Sequence, residues 1–209
     1  MDKQIIKDYY EKDKLEVGID EAGRGCLFGP VSVAAVIWNP EISDPTIEIK
    51  DSKKLSEKKR QKAFEYIKEH SVAYSIKLLS NTEIDTSNIL KTTIKGMHQC
   101  LDSISQEIQF DTILVDGNNF TQYYSTEIDE FIPHHCVIKG DNIFKSIAAA
   151  SILAKTYRDN YIVDLVKENP ELEKYDIQNN KGYGTKKHME AIKKYGITKW
   201  HRKTFAPCK

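Results

Sequence analysis

Three apolar runs in this chain of 209 residues end in acids. Asp20 and Glu21 follow Val17-Gly18-Ile19, Asp116 follows Thr112-Ile113-Leu114-Val115, and Asp141 follows Val137-Ile138-Lys139-Gly140. An acid in that position stands at the rim of a core. Strand ends that converge would bring four carboxylates together, where they repel and raise one another's pKa values. Cations between them make such a cluster tolerable. A ligand set made only of oxygen favours Mg²⁺ or Mn²⁺ over zinc, and two such ions about 4 Å apart are a device for phosphoryl transfer. Taken singly, each acid has a plainer reading. Asp116-Gly117 suits a turn, and Asp141 suits the cap of a helix starting at Asn142–Ile143. Spacing alone does not choose between these readings.

The segment after the first two acids is poor in side chains. Gly23-Arg24-Gly25 lets backbone pass close to a neighbour, because two of its three positions lack a Cβ. Such an approach suits a backbone group that reads a ribose 2′-hydroxyl, which is both donor and acceptor and separates RNA from DNA. A tight turn punctuated by Gly29-Pro30 would look the same. Adjacent strand residues point to opposite faces, so Asp20 and Glu21 share a site only where the strand twists or ends.

The elements that must position these groups follow from periodicity. Strands are expected at 16–21, 31–38, 72–79, 112–115 and 136–138. Helices are expected at 57–70, capped by Ser56, at 87–106, at 143–167 and near 188–195. In the second helix Leu90, Ile94, Met97, Leu101 and Ile104 share one face. Asn169-Pro170 ends the third helix, since proline cannot continue it. Alternation of strands and helices predicts an α/β fold with a central mixed sheet flanked by helices and a small C-terminal helical segment. The expected division is 1–168 for the catalytic body and 169–209 for the segment packed on it.

Composition narrows the class. Hydrophobic residues make up 40% and charged residues 30% of the chain, as in an ordinary globular domain. No run approaches the roughly 18 apolar residues of a membrane helix, and the N-terminal MDKQIIKDYYEKDK has no signal-peptide core. Cys26, Cys100, Cys136 and Cys208 form no CxxC pair and no zinc spacing, which suits a reduced, cytoplasmic protein. The formal net charge is zero, yet residues 142–209 carry 14 Lys and Arg against 7 Asp and Glu, while 1–141 carry 17 against 24. Lys50 to Lys62 alone holds seven basic residues and two acids. A basic binding face beside an acidic site would give this pattern, as would solvated lysine-rich helices.

DEAGRG at 20–25, GPV at 29–31, DSKKLS at 51–56, VDG at 115–117, KGD at 139–141, SIAAASILAKTYRD at 146–159, KGYGT at 181–185 and HRKTF at 201–205 span almost the whole chain. Together and in this order they resemble bacterial ribonuclease HII, the type 2 ribonuclease H. The resemblance implies an RNase H-like fold and an endonuclease that cuts the RNA strand of RNA–DNA hybrids. It also implies cutting 5′ of single ribonucleotides embedded in duplex DNA, leaving 3′-hydroxyl and 5′-phosphate ends. By motif, Asp20, Glu21, Asp116 and Asp141 are implied metal-binding catalytic acids for Mg²⁺ or Mn²⁺. Gly23, Arg24, Gly25 and Tyr183 are implied readers of the ribonucleotide–deoxyribonucleotide junction, and Lys53 an implied phosphate contact. A monomer with no membrane partner is expected. Asp159 is read as an ion-pair partner, not a metal ligand. Phe28 stands where the family often has alanine and is expected to pack under the turn. A different RNase H-fold nuclease acting on DNA, or a non-catalytic nucleic-acid-binding module, are the competing readings.

Overall fold

A computed structural model describes residues 6–42 and 44–209. Residues 1–5, part of the stretch read for a signal peptide, lie outside the described residues. The centre is a five-stranded mixed sheet. Its strands are β1 (Glu16–Ala22), β2 (Val31–Ile37), β3 (Ala73–Leu79), β4 (Thr112–Asp116) and β7 (His134–Val137), in the order β3-β2-β1-β4-β7. β1 runs antiparallel to β2 and parallel to β4, and β4 runs parallel to β7. β1 therefore lies in the middle, paired on both edges. The last β1–β4 pair is Ile19 with Val115, immediately before Asp20 and Asp116. Beyond that pair the two parallel strands no longer hold each other, and the acids leave a frayed edge.

Between β4 and β7 lies a small hairpin of β5 (Tyr123–Ser125) and β6 (Glu130–Ile132). Its strands of three residues are too short for an alternation to be seen in sequence. Tyr123 and Ile132 nevertheless add to the main core.

Helices cover both faces. On one lies α3 (Ile89–Ser105), whose Met97, Cys100, Leu101 and Ile104 pack on Val17, Ile19, Val33 and Val115. Leu90 and Ile94 depart from the expected apolar face. They line a cleft beside Glu21 and Asp116 instead, while Thr92, Thr93 and Gly96 take the inner positions. The helix begins two residues later than the expected 87–106 helix. A separate short α2 (Asn81–Thr86), closed by a Ser80–Glu83 capping box, precedes it, and Asn88 caps α3 by accepting from Lys91 N.

On the other face lie α1 (Glu57–His70) and α4 (Lys145–Glu168). Ser56 caps α1 as expected, and Ala63, Phe64 and Ile67 face Ala149, Ala150 and Leu153 of α4. The alanine run lets α4 lie close on the sheet. Gly18 completes that contact. A Cβ there would fall inside the backbone at Ser146–Ile147.

After α4, a 3₁₀ stretch at Pro170–Tyr175, the short α5 (Ile177–Asn180) and α6 (Lys186–Tyr195) fold back onto its C-terminal half. Leu172, Tyr175, Ile177, Ala191 and Ile192 share a core with Ile162, Leu165, Leu27 and Phe28. Phe28 is fully buried there, against Trp200 and His201.

Gly18→Ala is expected to destabilise the protein by about 1–3 kcal/mol through overpacking. Urea unfolding of the variant should show a lower midpoint with an unchanged slope.

Candidate active site

The frayed end of β1 and β4 sets the acids. Side chains alternate along β1, so Asp20 shares the α4 face with Ala22, whereas Glu21 shares the α3 face with Ile19. β1 runs on to Ala22 beside β2 but parts from β4 after Ile19, so both acids, though on opposite faces, stand at the edge that opens between β1 and β4. Asp116, the last residue of β4, lies beside them. Asp141 sits on a 3₁₀ turn at Gly140–Asn142, entered through Lys139 in a left-handed conformation (φ 57°).

Burial raises the pKa of each of these acids. Asp20 is pushed well above the usual carboxylate range, first by burial and then by the charges of Glu21 and Asp116. Glu21 is raised by burial, against the pull of Arg24, with Asp116 adding repulsion. Asp116 is raised by burial although the Gly140 and Asp141 amides favour its charged form. Asp141 is raised by burial, then by Asp51 and Asp116. Asp116 is thus the common neighbour that links Asp20 and Glu21 to Asp141.

Each carboxylate also has a local donor. Asp20 Oδ1 accepts from Glu21 N at 2.7 Å, Asp116 Oδ1 from Gly140 N at 2.7 Å, Asp141 Oδ1 from Asn142 Nδ2 at 2.7 Å, and Glu21 Oε1 from Arg24 Nη1 at 3.2 Å. Among the described residues no three His, Cys, Asp or Glu side chains close around one point as a formed metal cluster. Like charges repel, and each acid turns to its own donor. The donor set is all oxygen, crowded and short of positive charge. It suits a hard divalent cation such as Mg²⁺ or Mn²⁺ and not a thiolate- or imidazole-seeking metal.

Three clefts meet at these acids. One, lined by Glu21, Arg24, Leu90, Ile94 and Asp116, runs along α3. A second, lined by Asp51, Lys53, Lys54, Asp116, Asp141 and Asn142, opens toward β7. A third, lined by Glu21, Gly23, Arg24, Gly25, Lys53 and Tyr183, runs toward the C-terminal segment. Lys53 belongs to two of them and its charge favours ionised Glu21, Asp116 and Asp141.

The rest of the basic run is differently used. Lys50 and Lys59 pair with Glu48, and Arg60 is buried in an ion pair with Asp159 at 3.2 Å. Asp159 also takes Lys155 at 2.8 Å, so it is the ion-pair residue expected from sequence. Of the basic residues of segment 50–62, Lys53 and Lys54 line the clefts around the acids.

The glycine turn divides its labour. At Gly23 (φ 92°) a Cβ would collide with the Arg158 side chain, so that position serves internal packing. Gly25 has open space around its missing Cβ, is exposed, and its peptide groups have no partner within the protein among the described residues. Arg24 is held by Glu21. Two fully buried guanidiniums fix the turn from below. Arg158 donates to the carbonyls of Pro30 at 2.8 Å, Phe28 at 2.9 Å and Lys181 at 2.8 Å. Arg202 donates to the carbonyls of Gly29 at 3.0 Å and Arg24 at 2.8 Å. Neither meets a carboxylate among the described residues, and burial pulls Arg202 down to about 10. Tyr183 lies across the third cleft between Gly182 and Gly184, half exposed, with Lys155 Nζ 5.5 Å from its ring centre.

Sequence reasoning passed over Arg158, Arg202, Ser151, Ser52 and Asp51 as actors. Ser151 bonds to Ser52 Oγ at 3.0 Å and to Asp20, tying α4 to the Asp51–Lys54 turn. All five sit inside motifs that carried the resemblance, but serine and arginine in those motifs gave no sign of which backbone they would meet.

The family model for ribonuclease HII matches residues 17–208. The chain belongs to the ribonuclease HII family. It is 46% identical over 201 residues to ribonuclease HII of Parabacteroides distasonis, covering 96% of this chain and 94% of that relative. Ribonuclease H2 of Pyrococcus horikoshii OT3 superposes with a TM-score of 0.68 at 22% identity, over 92% of this chain and 94% of that one. Bst-RNase HIII, solved in complex with Mn²⁺, superposes with a TM-score of 0.68 at 20% identity, over 93% and 68%. At those identities the two structures show the shared fold. The family match makes the protein a ribonuclease H-type endoribonuclease that acts on RNA–DNA hybrids.

Asp20→Asn removes a buried charge crowded by Glu21 and Asp116. In chelator at neutral pH its melting temperature should exceed that of the wild type, by about 2–4 °C for each kcal/mol relieved. Differential scanning calorimetry checks this.

Proposed function

We propose that the enzyme hydrolyses the phosphodiester on the 5′ side of a ribonucleotide, in hybrids and at single ribonucleotides within duplex DNA, with Asp20, Glu21, Asp116 and Asp141 holding two Mg²⁺ or Mn²⁺ ions. The carrying observation is Asp116 as shared neighbour of the other three acids, where β1 and β4 part after Ile19 and Val115. The ions supply Lewis-acid activation of the attacking water and of the leaving 3′-oxygen. The products are then a 3′-hydroxyl and a 5′-phosphate. The Mn²⁺ complex of Bst-RNase HIII, a protein of the same fold, supports the choice of metal.

Recognition comes from the third cleft. Gly25 offers unpaired peptide groups to a 2′-hydroxyl, one residue from Arg24, which is itself held on Glu21. The Tyr183 ring faces the same cleft and is suited to stack on the sugar or base beside the ribonucleotide. Lys53 is placed to meet the phosphate at the acids. Residues 169–209 act as a packed extension of the catalytic body, since Tyr183 and Arg202 both come from it. We take the protein to work as a monomer in the cytoplasm. Its four cysteines are free, and no helix among the described residues is long and apolar enough to cross a membrane.

Asp20→Asn and Asp116→Asn should each lose far more cleavage than the about 10–100-fold typical of residues that only support a metal ligand. Near wild-type rates at saturating Mg²⁺ would refute the assignment. Lys53→Glu should lower kcat/KM several-fold more than Lys59→Glu, because Lys59 faces Glu48 away from the clefts. Tyr183→Ala should reduce kcat/KM at a single ribonucleotide far more than on a long RNA–DNA hybrid, which offers many 2′-hydroxyls. Equal loss on both substrates would make Tyr183 a general binding residue.

A further inference from the structure

Tyr183 stands between two glycines, and Gly182 is left-handed (φ 85°). Nothing in that local sequence fixes the ring. Its peptide is fixed from elsewhere. Tyr183 N donates to Asn180 O at 3.0 Å, and its carbonyl accepts from Thr185 N at 2.8 Å and from His188 Nδ1 at 2.9 Å. His188 is itself set in the first turn of α6, where its N–H donates to the capping Thr185 hydroxyl at 3.3 Å. His188 Nε2 lies 3.1 Å from Nε2 of His201, and both side chains are fully buried.

The direction of this chain follows from its two ends. Thr198 N–H donates to His201 Nδ1 at 2.9 Å, so that nitrogen carries a lone pair. A neutral His201 then carries its proton on Nε2 and donates to His188. His188 Nε2 accepts, so its proton is on Nδ1, where the acceptor among the described residues is the Tyr183 carbonyl. Each imidazole thus has one permitted tautomer.

No carboxylate accepts from either ring among the described residues. Phe28 and Tyr175 pack against His201 with ring centres 5.1 and 5.2 Å away, and Tyr175 also faces His188. Burial holds both imidazoles neutral, pulling His188 below its usual value and His201 down to about 4. His201 also reaches the segment that follows the glycine turn. It bridges to Phe28, whose carbonyl is held by Arg158, and the neighbouring Arg202 N donates to Leu27 O at 2.9 Å.

We propose that His188 and His201 are positioning residues for ribonucleotide recognition: their one-way hydrogen-bond chain sets the Tyr183 peptide and locks it in register with the Gly23–Pro30 turn. This rests on the reading of Tyr183 as the junction contact. Neither histidine touches substrate. Their effect reaches the nucleic acid through the angle at which Tyr183 is presented.

The first measurement needs no variant. Long-range ¹H–¹⁵N correlation spectra of the ¹⁵N-labelled full chain at neutral pH should show His188 protonated on Nδ1 and His201 on Nε2. The opposite tautomer on either ring, or rapid averaging, overturns the proposal. The second compares kcat/KM on a duplex with one ribonucleotide against a long RNA–DNA hybrid. His188→Leu should lower the single-ribonucleotide to hybrid ratio by about tenfold, in the same sense as Tyr183→Ala. His188→Gln, whose amide both accepts and donates, should recover part of it. The double variant Tyr183→Ala/His188→Leu should show no further fall in the ratio. If Tyr183→Ala is selective while His188→Leu and His188→Gln lower both substrates equally, the histidines are merely structural and the junction reading stands without them. If Tyr183→Ala itself is unselective, the junction reading fails and this inference fails with it.

Discussion

Mutual repulsion among buried carboxylates is the constraint to which the rest of the molecule answers. Asp20, Glu21, Asp116 and Asp141 are held where burial and one another's charge disfavour ionisation. Such a group of acids would spread apart on a soft scaffold. Here β1 is paired on both sides, β2 is buried along its whole length, and α4 lies against Gly18 with no room for a side chain. The carboxylates sit at the point where β1–β4 pairing stops. Asp20 and Glu21 stay paired with β2 and Asp116 with β7, so the outer strands hold the backbone of these acids while the gap between β1 and β4 opens in front of them.

The turn proposed for recognition rests on a second, electrically opposite device. Arg158 and Arg202 are buried with no carboxylate partner among the described residues and donate to carbonyls. A guanidinium presents five donors in a rigid fork, so each arginine ties several peptide groups into one shape. The carbonyls of residues 24, 28, 29, 30 and 181 are thereby fixed relative to one another. The turn after Asp20-Glu21 and the turn before Tyr183 are consequently one rigid piece, although about 160 residues of chain separate them. Their direct bond, Leu27 N to Gly182 O at 2.8 Å, says the same. In the proposed reading, cutting depends on the sugar because the glycine turn directly follows the strand that carries Asp20 and Glu21.

The folded chain also divides the basic run 50–62 between inside and outside. Seven basic residues between Lys50 and Lys62 suggested a phosphate-binding face. Arg60 instead neutralises Asp159 inside the protein and donates to the carbonyls of Ser52 and Leu55, which holds the Asp51–Lys54 turn against α4. One arginine of the run thus holds the turn that carries Lys53.

Much of this was legible in sequence because its physics is local. An acid at the end of an apolar run, Ser56 before a helical periodicity, and proline after Asn169 each report on their immediate neighbours, and β1, β2, β4, α1 and α4 lie close to where they were expected. The eight ordered motifs supplied the family. What the tertiary structure decided concerns partners far apart in the chain. The register of β1 against β4 determined that Asp20 and Glu21 share an open edge. The packing of α3 on the sheet left Leu90 and Ile94 at the cleft instead of in the core. The two glycines of Gly23-Arg24-Gly25 read alike in sequence, yet one makes room for Arg158 from within and the other faces outward. Sequence names the groups able to donate and accept. Only the folded chain decides which of them meet, because a buried hydrogen bond depends on distance and direction that no local spacing encodes.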